Sequence, residues 1–472
     1  MLSNRPRPAR VASVPAPQVM PVTVVREAPP APMSSAPRDP WESHILRRLF
    51  LYFALATLFV RLTTLPEVIA YLTNTNTYLL YFVAPPAILG TILMGGIRRT
   101  FRASPTYLWM AFFLWMVVAV PFSTWKGGST QSVMDYGRVN LVFLILAGGL
   151  AITWKDIRLT FYTIAAAAVV TLLESNLLMD EANGRIELKA SGTIGNSNDL
   201  AAHLLLLLPF LLFLVLGRGR PMLLRIAGLG LIGYGLWVIL GTASRGALIA
   251  LFLVLLCILF RASVMQRVAI LVIAIVLGAG VMVVLPGQTL ARLGSLFGEE
   301  HKEADESAES RWYLFKTSVL YTIQHPIFGV GPDQFADYEG QSSLAEGKHG
   351  NWHATHNAFT QVSSECGIPA LLFFVGALVS ACRLVIRTYN RAKREGYPEI
   401  ANACFCYLLA MVGYLGSLVF LAEAYSFKLL VMVGLSVALS FAANRQMKPV
   451  EDKYSRKGPV AGRTQFARPA TI

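Results

Sequence analysis

About twelve apolar stretches of roughly 17 to 25 residues follow one another along this chain, and they constrain its fold more than any other feature. A helix of about 20 residues crosses the hydrocarbon core of a bilayer and satisfies its own backbone hydrogen bonds there. The composition agrees, because 55% of the residues are hydrophobic and 14% are charged. We therefore exclude a soluble domain of 472 residues and predict an all-α polytopic membrane protein with about twelve transmembrane helices.

The apolar stretches are placed on the sequence to within several residues. The predicted spans are approximately residues 49–72, 78–96, 105–122, 137–153, 157–177, 200–217, 222–240, 244–260, 266–286, 367–388, 400–421 and 426–443. A hydrophilic segment, residues 286–366, separates the ninth span from the tenth and carries five of the seven histidines. Chemistry is expected in this segment, because water and a lipid-borne substrate can meet there.

Lys and Arg collect in alternate loops, from Arg47 and Arg48 before the first span to Arg445 and Lys448 after the last. Short cytoplasmic loops retain such cations, whereas translocated loops are depleted in them. The pattern predicts that both termini are cytoplasmic and that residues 286–366 form a large extracytoplasmic loop. The net charge of +14 needs no nucleic-acid partner, because topology and contact with anionic membrane lipid account for it.

The two ends of the chain lack apolar runs, and the first is rich in proline. We predict a disordered cytoplasmic tail over residues 1–44, a transmembrane domain over residues 45–446 and a second disordered tail over residues 447–472. The first tail either binds a partner through polyproline segments or is dispensable.

Arg245 lies where the seventh span gives way to the eighth, in the sequence Thr242-Ala243-Ser244-Arg245-Gly246-Ala247. An arginine near hydrocarbon is costly unless it finds an anion or faces water. It either snorkels to lipid headgroups or holds an anion, because a planar guanidinium matches phosphate oxygens and small neighbours let a ligand approach.

An amphipathic helix is predicted inside the hydrophilic segment, where apolar residues recur at three- and four-residue spacing. These residues are Trp312, Phe315, Val319 and Ile323. The helix is expected to lie against the membrane surface. It also carries Arg311 and Lys316. Either both are interfacial anchors, or one of them is a second phosphate contact.

Polar residues also precede the sixth span. Ser197, Asn198 or Asp199 can cap that helix, and amides with a carboxylate at a helix mouth also suit ligands rich in hydroxyl groups.

Three histidines, His349, His353 and His356, fall within eight residues and raise the question of zinc. The sequence between them does not indicate a helix, and no cysteine or carboxylate completes a ligand set. His356 fits a general base better, because an imidazole titrates near neutral pH and the tenth span, which follows shortly after His356-Asn357, can position it on a rigid helix. An ordinary surface histidine is the alternative.

Taken together, these segments resemble the O-antigen ligase and O-antigen polymerase superfamily. The resemblance lies in the order and spacing of short motifs, and it extends from about Gly192 to Pro369. The motifs are Ser244-Arg245-Gly246-Ala247, then Arg311 followed by His325-Pro326-Ile327-Phe328-Gly329-Val330-Gly331, then His356-Asn357 and Glu365-Cys366-Gly367-Ile368-Pro369.

The resemblance implies a glycosyltransferase of surface polysaccharide or exopolysaccharide biosynthesis, acting on the outer face of the bacterial inner membrane. Its donor would be a glycan on a polyprenyl diphosphate such as undecaprenyl diphosphate. Its acceptor would be a hydroxyl on lipid A-core, on another lipid-linked glycan or on a protein. Other polysaccharide-assembly proteins are possible partners.

The same resemblance implies roles for individual residues. Arg245 and Arg311 neutralise the diphosphate, and His356 accepts the proton of the attacking hydroxyl. Asn357, Lys316 and Asn198 are supporting residues, and neither a metal nor another cofactor is expected.

Two other functions are open, namely a transporter or flippase and a non-catalytic scaffold for glycan assembly. Carriers place ionisable residues at mid-membrane, whereas the polar residues here collect at the outer rim.

Overall fold

The computed structural model describes residues 41, 44–182, 185–189, 192–217, 219–284, 287, 289, 302–347, 350 and 352–447. The predicted tails, residues 1–44 and 447–472, lie almost wholly outside the described residues. Those residues form an all-α structure apart from one small hairpin, which confirms the predicted fold class in its coarse form.

The first half of the chain forms eight helices before the hairpin: α1 Ile45–Leu62, α2 Leu65–Thr73, α3 Leu79–Leu93, α4 Gly96–Thr100, α5 Ser104–Ala119, α6 Lys126–Asp135, α7 Leu141–Gly149 and α8 Trp154–Leu177. A 3₁₀ turn, Val120–Phe122, follows α5, and a π-helical turn, Tyr136–Asn140, follows α6. Strand β1, Met179–Ala182, pairs antiparallel with β2, Arg185–Leu188. This hairpin was not expected from the sequence.

The helices after the hairpin are α9 Ser197–Leu216, α10 Met222–Gly241, α11 Arg245–Arg261, α12 Val264–Val284, α13 Lys302–Gln324, α14 Phe335–Ala345, α15 Ala358–Arg394, α16 Pro398–Leu418 and α17 Phe427–Gln446. Helix α15 is broken at Gly367, whose φ of 83° is not helical.

Among the described residues, seven helices are long and apolar enough to cross a membrane, or eight if the bent pair α1 and α2 forms one span. The expected count of about twelve is therefore not confirmed. Each predicted span lies on a helix, but several helices are short: α3 has 15 residues, α7 has 9 and α11 has 17. Apolar sequence predicted where the helices lie better than it predicted their lengths.

The innermost helices are α17 and α9, whose most apolar windows are 89% and 78% buried. Small residues let their neighbours approach closely. A Cβ at Gly434 of α17 would lie 2.4 Å from the Leu144 carbonyl oxygen of α7. Likewise, a Cβ at Gly413 of α16 would lie 3.2 Å from the Leu205 carbonyl oxygen of α9.

The positions of Lys and Arg divide the loops into a cation-rich set and a cation-poor set. Two contacts between loops each join members of the same set. Thr124 and Val330, both from predicted outer loops, are joined by a 2.9 Å backbone hydrogen bond. Arg47 and Asp156, both from predicted cytoplasmic segments, form a buried ion pair at 2.8 Å. Which set faces the cytoplasm stays a prediction, as does the extracytoplasmic position of residues 286–366.

The amphipathic helix predicted inside the hydrophilic segment is present as α13. It packs on the protein through the face opposite to the predicted apolar stripe. Leu314, Ser318 and Tyr321 are buried, and the first and last of them join a small core that includes Phe335 of α14. The predicted apolar stripe faces outward instead, with Ile323 70% exposed. Its contact with a membrane surface stays a prediction.

Residues 329–332 form a turn that docks on the start of α15 through the backbone. Val330 N donates to Ser364 O at 2.8 Å, and Gly331 N donates to Glu365 O at 2.9 Å. A Cβ at Gly329 would lie 2.2 Å from the Glu365 carbonyl carbon. The glycines are therefore required by the close approach of two backbones and not by a bound nucleotide.

We expect Gly367→Ala to destabilise the protein strongly. The residue has a φ of +83°, and an added Cβ would lie 2.0 Å from the Ile327 carbonyl oxygen. The midpoint of thermal unfolding in detergent should fall by several degrees. Gly376→Ala in the same helix is the matched control, because its Cβ would meet nothing closer than Leu108 at 3.6 Å. Equal midpoints for the two variants would contradict this account of the docking.

Candidate functional site

A cavity of about 370 Å³ opens where the hairpin, α11, α13 and the start of α15 meet. We call it the arginine cavity. Its lining residues are Arg185, Asn198, Ala243, Arg245, Gly246, Arg311, Trp312, Phe315, Thr355, His356, Asn357, Val419 and Phe420. The structure thus brings together five of the six residues singled out from the sequence, although they come from four separate segments.

Three guanidinium groups line this cavity, those of Arg185, Arg245 and Arg311, and none of the described lining residues is acidic. Arg245 is the first residue of α11. The N-terminus of a helix carries partial positive charge, so a cation there is unfavourable unless an anion joins it. The arrangement is suited to an anion with several oxygen atoms.

Three helices begin at the cavity wall, namely α9, α11 and α15. Their N-caps are Asn196, Ser244 and Asn357, each of which accepts a backbone hydrogen bond through its side chain. Each cap satisfies only one or two N–H groups of its helix. The other N–H groups of the first turn attract anions. The cap of α9 corrects the sequence analysis, which considered Ser197, Asn198 or Asp199. Asn196 Oδ1 accepts from the last two of these at 2.9 and 3.1 Å.

Arg185 was missed by the sequence analysis. It begins β2, and its Nε donates to Thr242 O at 2.9 Å while its Nη2 donates to Asn198 Oδ1 at 2.7 Å. These bonds tie the hairpin to the ends of α9 and α10. The hairpin has strands of four residues, which is too short for a clear alternation in the sequence.

His356 lies in the cavity wall just before α15, with a φ of +52° that a residue with a side chain rarely adopts. Such backbone strain is concentrated at functional sites. Burial first, and then the charges of Arg311 and His353, lower the pKa of the His356 imidazole to about 4. The imidazole is therefore neutral at physiological pH and free to accept a proton.

The loop that carries His356 is anchored by a buried carboxylate of α14. Glu339 is completely buried, and its Oε2 accepts from Trp352 N at 3.1 Å. Its Oε1 accepts from Ser343 Oγ at 3.0 Å. Thr355 Oγ1 donates to Asn357 O at 2.9 Å and fixes the turn around the histidine.

Two other predicted residues lie elsewhere. Lys316 is exposed on α13 and does not line the cavity. Its Nζ lies over the Trp312 ring, 5.4 Å from the ring centroid. His349 lies outside the described residues. Within those residues, no group of three His, Cys, Asp or Glu side chains is arranged to hold a metal ion.

Aromatic side chains form the apolar part of the wall, from Trp312 and Phe315 of α13 and Phe420 after α16. Gly246 lets Phe420 approach α11, since a Cβ there would lie 2.7 Å from that ring. The cavity therefore combines a cationic wall with an apolar one, as a ligand with an anionic head and a hydrocarbon chain requires.

These features define a class of protein: a multi-pass all-α membrane protein whose loops build one cationic cavity beside a neutral histidine. Residues 230–375 match the family model described as O-antigen ligase. This match confirms the resemblance to the O-antigen ligase and polymerase superfamily, and the matched segment contains Arg245, Arg311 and His356. No curated protein matches the chain.

The protonation of His356 can be tested directly. Diethyl pyrocarbonate attacks only neutral imidazole, and protonation of His356 is opposed by burial and by Arg311. As the pH falls, the modification rate at His356, followed by peptide mass spectrometry, should reach half its maximum near pH 4. Arg311→Ala should shift this midpoint upward, toward the ordinary histidine value of about 6.5. A midpoint near that value in the unaltered protein would contradict the assignment.

Proposed function

We propose that the protein is an extracytoplasmic glycosyltransferase of the O-antigen ligase type. It transfers a glycan from a polyprenyl-diphosphate carrier, such as undecaprenyl diphosphate, to an acceptor hydroxyl in surface polysaccharide or exopolysaccharide biosynthesis. The reaction either ligates the glycan to lipid A-core or polymerises repeat units. The observation that carries this proposal is the arginine cavity itself, which groups three guanidinium groups and a neutral imidazole.

The three arginines hold the diphosphate. A diphosphate presents several anionic oxygens, and planar guanidinium groups bind such oxygens in pairs. Arg245 and Arg311 contact it from α11 and α13, and Arg185 contacts it from the hairpin. Negative charge grows on the bridging oxygen as the anomeric bond breaks, so these cations also lower the energy of the transition state. Guanidinium groups thereby take the place of a divalent metal ion.

His356 acts as the general base. The acceptor hydroxyl oxygen bonds to the anomeric carbon, the bond from that carbon to the diphosphate oxygen breaks, and its electron pair stays on the diphosphate. The imidazole takes the hydroxyl proton. Its lowered pKa keeps it neutral before the reaction, and a bound diphosphate raises that pKa as the proton arrives, since an anion favours the imidazolium. Asn357 and Asn198 position the histidine loop and Arg185.

The carrier's hydrocarbon chain leaves along the aromatic wall. Trp312 is 59% exposed and lies on the outward apolar stripe of α13, next to the cavity. An aromatic side chain at a membrane interface has an apolar body in contact with lipid. The chain can therefore stay in the bilayer while the diphosphate reaches the arginines.

We place the cavity on the outer face of the inner membrane, with residues 45–446 as the catalytic membrane domain and both tails in the cytoplasm. The alternation of cations supports this orientation. No nucleotide is needed there, because departure of the diphosphate drives the transfer.

Purified protein in liposomes tests the reaction. The donor is the polyprenyl-diphosphate-linked glycan extracted from the source bacterium, and the acceptors are its lipid A-core and a second molecule of donor. We expect glycan joined to one of them, and the product shows whether ligation or polymerisation occurs. Movement of lipid-linked glycan across the membrane without a new glycosidic bond would instead identify a flippase.

Variants of the arginines and the histidine should fail in different ways. Arg245→Lys should lose donor affinity nearly as completely as Arg245→Ala, because an ammonium group cannot bind two oxygens in a plane. His356→Ala should bind donor normally but transfer it about 10² to 10⁴ times more slowly. Donor binding and single-turnover transfer measure the two effects separately.

Lys316→Ala is the matched control for the arginine variants, because its ammonium lies on the same helix as Arg311 but outside the cavity. Its donor affinity should match that of the unaltered protein. A stable His356→Ala protein with near-normal turnover would remove the catalytic role of the histidine.

The proposed orientation predicts which side of the membrane each loop faces. A cysteine introduced at Ala345, an exposed residue at the end of α14, should react with an impermeant thiol reagent in intact spheroplasts. A cysteine at Lys393, exposed near the end of α15, should react only after permeabilisation. The native cysteines are buried or half-buried, so their background is low. The reverse labelling pattern would overturn the orientation.

A further inference from the structure

A second cavity, of about 340 Å³, adjoins the segment between α16 and α17. Its polar lining residues are Arg61, Ser132, Asp135, Asn140, Asp333 and Tyr425. We call it the carboxylate cavity. The segment between α16 and α17 contributes to both cavities, since Val419 and Phe420 line the first and Tyr425 lines the second.

The two cavities differ in charge. The arginine cavity has three cations and no acid among its described lining residues, whereas the second has two carboxylates and one guanidinium. Asp135, one of these carboxylates, pairs with Arg138 and accepts from Gln131 Nε2 at 2.8 Å, so Asp333 is the carboxylate with the fewer partners. Asp333 Oδ2 accepts from Ser132 Oγ at 2.9 Å, and its Oδ1 accepts no hydrogen bond from the described residues. Carboxylates repel a diphosphate but accept hydrogen bonds from hydroxyl groups.

The backbone around this cavity departs from regular structure at two independent places. Tyr136–Asn140 form a π-helical turn, and such turns occur frequently at functional sites. Asp333 has a φ of +61°, in the left-handed region that is costly for a residue with a side chain. Asp333 N is held by Glu365 Oε2 at 3.0 Å, and the same oxygen accepts from Tyr425 OH at 2.6 Å.

The cation of the lining is Arg61, which is held in place by two polar neighbours. Its Nη1 donates to Thr193 Oγ1 at 2.8 Å and to Glu67 Oε1 at 3.3 Å. Its Nε has no partner among the described residues, but this atom is buried and does not face the cavity. The lining thus combines one guanidinium group with carboxylates, beside the aromatic rings of Tyr136 and Tyr425.

We propose that the carboxylate cavity is a sugar-binding subsite for a glycan substrate of the transfer reaction. This inference rests on the proposed function. A sugar ring presents hydroxyl groups that both donate and accept hydrogen bonds, together with apolar faces that pack on aromatic rings. A glycan has several sugar units, so one of them occupies this cavity while the reacting unit lies at His356 in the arginine cavity. The unit belongs either to the acceptor or to the donor glycan.

Asp333→Asn tests this assignment. Asparagine has the same shape and tolerates the left-handed backbone, but it lacks the charge and replaces an acceptor oxygen with a donor nitrogen. We expect the KM for one glycan substrate to rise about tenfold or more, because hydrogen bonds to charged groups are the stronger ones. A raised acceptor KM identifies the unit as part of the acceptor, and a raised donor KM identifies it as part of the donor.

Asp135→Asn is the second variant, and the KM for the same glycan substrate should rise. For both Asp135→Asn and Asp333→Asn, the midpoint of thermal unfolding should stay near that of the unaltered protein. Asp180→Asn is the matched control, since this exposed carboxylate lies on the hairpin outside both cavities. Its KM values should not change. If the unaltered protein transfers glycan and neither cavity variant changes a KM value, the subsite assignment is overturned.

A binding measurement separates failure of this inference from failure of the proposed function. The probe is soluble oligosaccharide released by mild acid from the source bacterium's surface glycan, titrated calorimetrically into the purified protein. We expect binding that weakens about tenfold in Asp333→Asn and is unchanged in Asp180→Asn. Absence of transfer with this binding pattern intact would overturn the enzyme but not the sugar site. Equal affinity in all three proteins would overturn the sugar site alone.

Discussion

The structure of the site depends on one contact, the docking of the turn at residues 329–332 on the broken start of α15. Backbone hydrogen bonds make this contact, and Gly367 permits it because a side chain there would collide with Ile327. The buried Glu365 side chain extends it, since one carboxylate oxygen holds both Asp333 and Tyr425. Walls of both cavities are therefore fixed to α15 by backbone contacts. Such contacts hold them more rigidly than side-chain contacts alone would.

The arginine cavity holds three positive charges that the fold brings close together. Three guanidinium groups in one cavity repel one another, and that repulsion is relieved when an anion binds. Each comes from a different element, so folding of the whole bundle holds them together. Burial, and then the charges of Arg311 and His353, lower the pKa of the His356 imidazole. In the proposed reaction, a bound diphosphate would offset the charge of Arg311, so donor binding and the basicity of His356 would be coupled.

In the proposed reaction, the two cavities would bind differently charged parts of one large substrate. Arginines and helix N-termini suit a diphosphate, whereas Asp135, Asn140 and Asp333 suit hydroxyl groups. Residues 419–425 contribute side chains to both cavities. A substrate whose parts differ in charge can be oriented by such a pair of cavities without any contact that is specific for a single group.

The sequence by itself determined that the chain is an all-α membrane protein, because apolar composition and helical length have no other solution in a bilayer. It also singled out Arg245, Arg311 and His356 as candidate site residues, since polar motifs stand out between apolar spans, and the structure places all three in one cavity. Only the tertiary structure placed Arg185 beside them, moved Lys316 outside the cavity and assigned the cap of α9 to Asn196. Those outcomes depend on a short hairpin, on the side of α13 that packs inward and on exact helix starts. Each is decided by contacts between distant segments, which local periodicity does not encode.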